Sequence, residues 1–342
     1  MLEIQQDLSM NKIKFLDLNK QYKFNKNKIN KAIFEVINDS VFIGGKKKIN
    51  FENNFAKYIK TKFCLGVANG TDAIEIAIES LNLKKNSEII VPSNSWISTS
   101  EAVTRNKLKV IFCDIDEYTY TIDIKKLEKL ITKNTSAIIA VHLYGHPCEM
   151  EEILKITKKY KLKLIEDCAQ AHGSKYKDIH VGNFGHISTF SFYPGKNIGA
   201  YGDAGAIVTN NKNLYIRCKK ISNHGRVGKF DHELEGRNSR LDTIQASILN
   251  VKLRLIESLV KNRNKNARLY FKLLSKNKKL VLPKISSNVT HSFHLFVIRL
   301  DNRKKLINAF NKKNIEYGIH YPKSLPKLVA YKNHNQKTNK FI

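Results

Sequence analysis

The sequence predicts an α/β protein of two parts: a large domain on a mostly parallel sheet, residues 11–240, then a linker helix and small α/β domain, residues 241–342. Three observations carry this. From Phe63 to Val208 short apolar runs alternate with helical patterns, as a parallel sheet reads when helices cover it. Leu241, Ile244, Ile248, Val251, Leu255 and Leu259 recur at three- and four-residue steps, the spacing of one helix face. The remainder repeats the strand and helix patterns on a smaller scale.

In order, the strands of the large domain are predicted at Cys64–Ala68, Glu88–Val91, Lys109–Phe112, Ala137–Val141, Lys163–Ile165, Ile187–Phe192 and Gly205–Thr209. Each is a short apolar run, and helical periodicity follows most of them. The long amphipathic helix begins near Asp242 and bridges the two domains. After a basic stretch come an alternating strand Ser292–Leu300, a helix around Arg303–Lys312 and a strand Ile315–Tyr321. Lys327 to Ile342 is polar and basic and is expected to fray. There are no repeats, low-complexity linkers or heptads.

Composition narrows the class. A hydrophobic fraction of 42% over 342 residues supports a sizeable core. No run approaches the roughly 18 apolar residues of a membrane span, and the N-terminus lacks a basic patch followed by an apolar stretch. A cytoplasmic location without a membrane partner is expected. Cys64, Cys113, Cys148, Cys168 and Cys218 are scattered without metal-ligand spacing, so they read as reduced, mostly core thiols and no metal site is expected. A net charge of +30 raises nucleic-acid binding, but the basic runs spread along the chain and no nucleic-acid motif accompanies them. A general pull on anionic small molecules fits better.

Five motifs fall at predicted strand ends. Lys196 is the only charged residue in Ile187–Gly202, where a strand runs through Pro194-Gly195 into a run of glycines. Such an amine is a candidate nucleophile for a carbonyl compound, or a lysine snorkelling from a tight turn. Cys64–Ala68 ends at Asn69-Gly70-Thr71-Asp72 before a helix, which fits a phosphate cradle and equally a plain helix cap. Asp167 ends Lys163–Ile165 at the sheet edge where ligands bind; it could pair with a protonated pyridine nitrogen or cap a helix. Trp96, the only tryptophan, follows Glu88–Val91 and could stack on a planar ring or pack in the core. His142 ends a further strand, its role open between ring contact and structural hydrogen bonding.

NGTDAIEIA, IEDCAQAHG, SFYPGKNIGAYGDAGAIVTN, GRNSRLDTIQASIL and GIHYP resemble the nucleotide-sugar aminotransferases of the DegT/DnrJ/EryC1/StrS family, from about Phe15 to Tyr331. The resemblance implies the type I fold of pyridoxal phosphate (PLP) enzymes, aspartate aminotransferase-like. It implies that Lys196 bonds to the cofactor aldehyde and that Asp167 pairs with the pyridinium nitrogen. Gln170 approaches the phenolic oxygen, Trp96 stacks on the ring, and Gly70, Thr71 and Ser191 hold the phosphate. Asn238 contacts the phosphate in a neighbouring subunit, so a homodimer is implied. His320 and Tyr321 help hold the nucleotide sugar, and Arg240 with Lys323 suits its pyrophosphate.

The implied activity, of EC class 2.6.1, is ping-pong transamination. L-glutamate converts PLP to pyridoxamine phosphate, which aminates a 3-keto or 4-keto sugar on a nucleotide diphosphate for surface polysaccharide or glycoconjugate synthesis. The alternative within the resemblance is a PLP/PMP-dependent sugar dehydratase of the same family, but those relatives carry histidine where this chain has Lys196. A non-enzymatic basic regulator retaining the fold would show salt-sensitive DNA retention. Relatives usually continue past GIHYP, so the C-terminus reads as cut short; Met10 is a candidate initiator.

Overall fold

The structure, a computed structural model, describes residues 12–332. Met10 and residues 333–342 lie outside them. The chain opens with helices α1 (Leu18–Asp39) and α2 (Gly45–Ile59), then β1 (Phe63–Val67), α3 (Gly70–Ser80), β2 (Glu88–Pro92), α4 (Ser98–Arg105) and β3 (Lys109–Cys113). A short α5 (Ile124–Leu127) leads to β4 (Thr135–Val141), α6 (Met150–Lys159) and β5 (Lys163–Asp167). Then come β6 (Lys175–Tyr176), β7 (Ile179–His180), β8 (Ile187–Ser191), β9 (Gly205–Thr209), α7 (Lys212–Ile221), α8 (Thr243–Leu253), α9 (Ile256–Leu274), β10 (Val289–Thr290) and α10 (Arg303–Lys312).

Seven strands form one sheet in the order β1-β9-β8-β5-β4-β2-β3. The pairs β2/β3, β2/β4, β4/β5 and β5/β8 are parallel, and β9 runs antiparallel between β8 and β1. The carboxyl ends of β1, β2, β4, β5 and β8 therefore share one edge, and the motifs emerge there. Period-two burial explains the layers. Leu65, Ile89, Val91, Ile139, Ile165 and Ile207 pack with α3, α4 and α7 on one face. On the other, Cys64, Phe190, Ala206 and Val208 meet Phe51 and Phe55 of α2 and Leu249 of α8, while Ile90, Ile138 and Leu164 meet α6. Phe51 and Phe55 are fully buried, each contributing about 2–3 kcal/mol of apolar transfer. All five cysteines are buried free thiols, as expected. Among the described residues no helix is long and apolar enough to cross a membrane.

Three expectations are corrected. The long helix is two, α8 and α9. Arg254 and Leu255 keep right-handed helical angles, so the apolar stripe holds its phase, but the Leu255 amide closes on Lys252 O, three residues back, and interrupts the ladder. Ser292–Leu300 is not a strand. Its Ser292 and Leu295 amides donate to Gly145 and Tyr144 carbonyls, Phe293 has φ +45°, and only Arg299 pairs, with Val281. Ile315–Tyr321 is not a strand either; Ile315 bridges Ile13, with no continuing ladder among the described residues. The stretch expected to fray is docked as far as it is described. Tyr331 is buried, stacks edge-on to Phe112 at 5.2 Å and donates to Ser100 Oγ at 2.7 Å.

Candidate active site

At the shared strand edge a cavity of about 2740 Å³ is lined by Gly70, Thr71, Trp96, Asp167, Gln170, Ser191, Lys196, Asn238, His320, Tyr321 and Lys323. One space thus holds nearly every residue singled out from the sequence. Arg240 does not line it; its Nε is buried without a hydrogen-bond partner among the described residues.

Lys196 follows the strand end of β8 in a turn closed by its own amide on Tyr193 O, 2.8 Å. Burial pushes its ammonium down to about 8, against the pull of the Asp167 carboxylate. That is the state a nucleophilic lysine needs. Asp167 is buried at the end of β5, and burial pushes its carboxyl up. The Ala169 amide donates to Oδ1 at 3.1 Å and Thr99 Oγ1 to Oδ2 at 3.0 Å, which favour the anion.

The turn between β1 and α3 is an N-cap and a cradle at once. Asn69 Oδ1 accepts the Asp72 amide at 2.8 Å, and helix geometry leaves the Gly70 and Thr71 amides without an intrahelical partner. A Cβ on Gly70 would stand 2.5 Å from Ser191 Cβ, and one on Gly205 2.3 Å from Asn69 O. Glycine at both positions lets α3 press against the ends of β8 and β9. Those amides, with the hydroxyls of Thr71 and Ser191, could hold a phosphate.

Trp96 is 60% exposed, so core packing is excluded; its indole stands 6.0 Å from the Tyr321 ring. Gln170 accepts the Tyr144 amide at 2.8 Å and donates to Tyr321 Oη at 2.9 Å. Burial pushes the Tyr321 phenol up to about 12, with the Gln170 bond opposing. Tyr144 Oη donates to the His320 carbonyl and accepts from Asn94 at 3.3 Å. His320 stacks on Phe15. Asn238 is exposed beside Arg237, whose guanidinium pairs with Glu75 and Glu79 of α3.

His142 is a structural residue. Its Nδ1 accepts the Cys148 amide at 3.0 Å, so its proton sits on Nε2 and goes to Glu166 at 3.0 Å. Glu166 also accepts from the Gly182, Phe184 and Gly185 amides and Ser188 Oγ. Burial acts to raise its carboxyl, but these bonds, His142 first, hold it below the usual range. His142, Glu166 and Cys168 have donor atoms close enough to share an ion, but those of His142 and Glu166 are already committed. Thr99, Ser95, Ser98 and Tyr144 were missed from sequence; the hydroxyl triplet Ser98-Thr99-Ser100 just after Trp96 was the available signal.

The model of the DegT/DnrJ/EryC1/StrS aminotransferase family matches residues 23–341. The chain belongs to this family. A dTDP-3-amino-3,6-dideoxy-alpha-D-galactopyranose transaminase of Aneurinibacillus thermoaerophilus is 40% identical over 326 residues, covering 95% of this chain and 90% of that protein. The crystal structure of DesV from S. venezuelae in complex with a ketimine intermediate has TM-score 0.94 and 33% identity, covering 96% of this chain and 89% of that one. NtdA of Bacillus subtilis with bound cofactor PMP has TM-score 0.87 and 30% identity, covering 97% and 78%. Membership in the DegT/DnrJ/EryC1/StrS family makes the protein an aminotransferase with the fold of PLP-dependent sugar aminotransferases. PLP is the family's cofactor, and the donor set here fits it: an isolated lysine, a buried acid, an amide cradle and an exposed indole.

Proposed function

We propose that the protein moves an amino group from L-glutamate to a 3-keto or 4-keto sugar carried on a nucleoside diphosphate, as a homodimer in the cytoplasm. The observation that carries this is Lys196, an amine brought to about 8 by burial, in one cavity with Asp167 and a glycine-framed anion pocket. When bound, PLP supplies an aldehyde for amine exchange and a cationic ring that accepts electrons. Lys196 would hold the aldehyde carbon. Displaced from it, an amine of this pKa is about one-tenth free at pH 7 and can take the proton from the substrate carbon and return it to the cofactor side. Asp167 would face the ring nitrogen, Gln170 the phenolic oxygen, and Trp96 the ring plane. Gly70, Thr71 and Ser191 would take the phosphate. His320, Tyr321 and Lys323 would meet the nucleotide sugar.

A dimer is supported by apolar side chains left in water: Phe24 is 86% and Phe230 79% exposed, with Phe34, Phe42 and Ile43 also open. Association covering them would let Asn238 serve the phosphate of a neighbouring subunit, and Arg240 would meet the pyrophosphate of the nucleotide sugar. We assign residues 11–240 to the cofactor domain and 241–342 to the linker and small domain. The relative from A. thermoaerophilus is named for a dTDP-linked amino sugar, and a cavity of about 2740 Å³ has room for cofactor and nucleotide sugar together.

The test is incubation of the PLP-loaded protein with L-glutamate and dTDP- and UDP-linked 3-keto and 4-keto sugars, read by mass. One sugar is expected to gain an amino group with stoichiometric 2-oxoglutarate. Lys196→Ala is expected to abolish turnover and the borohydride-fixed cofactor tag on the Lys196 peptide. Turnover retained in that variant, or no amino sugar from any member of the panel, rejects the reading.

A further inference from the structure

We infer that Thr99 is a positioning residue for the ring-binding carboxylate, holding Asp167 through a one-way hydrogen-bond chain that starts at Ser95. The inference rests on the assignment of Asp167 to the ring nitrogen.

The direction of the chain follows from proton counting. An ionised carboxylate only accepts, so the single hydroxyl proton of Thr99 goes to Asp167 Oδ2 at 3.0 Å. Thr99 Oγ1 then has only lone pairs left for Ser95 Oγ, 2.8 Å away, and Ser95 must donate. Thr99 is 1% exposed, so no solvent molecule takes over when the hydroxyl is removed. Ser98, one residue earlier, lies 2.7 Å from Thr71 Oγ1. The stretch Trp96–Thr99 thus touches the indole plate, the phosphate-side hydroxyl and the acid. Ser98 and Thr99, the first two residues of α4, tie the two ends of the cradle together.

The groups facing Asp167 explain why a neutral donor matters. They are Lys196 after β8, His142 after β4, the thiols of Cys148 and Cys168, and the Tyr321 phenol. Burial pushes the thiols and the phenol up, so they stay protonated. The His142 proton is directed at Glu166. Lys196 is the cation of the set, and it is the group that changes bonding during turnover. The Thr99 hydroxyl and the Ala169 amide are constant, and against burial they favour the anionic form of the carboxylate while holding both its oxygens.

The experiment measures equilibrium dialysis constants for PLP and for its 1-deaza analogue, in which C–H replaces the ring nitrogen. Wild type is expected to prefer PLP. Thr99→Val, of the same shape, should lose about tenfold for PLP and little for the analogue, so the preference shrinks about tenfold. Thr99→Ser restores it, and Ser98→Ala weakens both ligands alike. Should Thr99→Val not fold, Ser95→Ala asks the same question one bond further out, with about a threefold loss of preference expected. An undiminished preference in Thr99→Val, or equal weakening of both ligands, overturns the inference alone. A wild type without preference removes the Asp167 assignment and this inference together.

Discussion

At Gly70 the absence of one carbon decides whether the cradle closes. A Cβ there would meet Ser191 at 2.5 Å on Cβ and 3.2 Å on Cα, and backbone cannot swing aside as a side-chain tip can. Gly70→Ala is therefore expected to weaken PLP at least tenfold by dialysis, while the unfolding free energy from denaturant melts drops by about 1–3 kcal/mol. A variant binding PLP normally would show that the approach of α3 to β8 is not what holds the phosphate. His172 behaves oppositely. Among the described residues neither of its buried ring nitrogens has a hydrogen-bond partner, and the ring lies between Phe190 and Phe192 at 5.5 and 5.4 Å. Burial, with Lys196 nearby, holds it down to about 3. It serves as an apolar plate, which its place in IEDCAQAHG does not reveal.

At the scale of elements, α3 depends on its cap. Asn69→Ala removes the acceptor of the Asp72 amide and should cost about 1 kcal/mol in a urea midpoint; an unchanged midpoint would mean the turn is held by Gly205 packing alone. The seven main-sheet strands were legible to within two residues because each is an apolar run covered on both faces. Lys196, Asp167, Gly70 and Thr71 were legible as residues at or just past a strand end. The small-domain strands were not. Their alternation is real, but the partners of Ser292 and Leu295 are loop carbonyls, and a pairing partner is a tertiary fact. Thr99 escaped for a related reason: in sequence it is one hydroxyl among three, and only the arrival of β5 beside α4 singles it out.

Over the whole molecule, buried neutral histidines tie stability to pH. Burial holds His172 down to about 3 and His146 to about 4, so the native state stays unprotonated where the unfolded chain, near 6.5, takes up protons. The sign is fixed: stability is full above 6.5, falls as pH drops below it, and goes on falling until the native values are reached. For these two residues the loss between pH 7.5 and 5.5 is about 3 kcal/mol, checked by denaturant midpoints at both values; equal midpoints would refute it. The lone tryptophan of the chain has a different consequence. Because the only indole stands open at the mouth of the cavity, intrinsic fluorescence excited at the red edge reports from that spot, so the polypeptide carries its own optical gauge of occupancy without any attached dye.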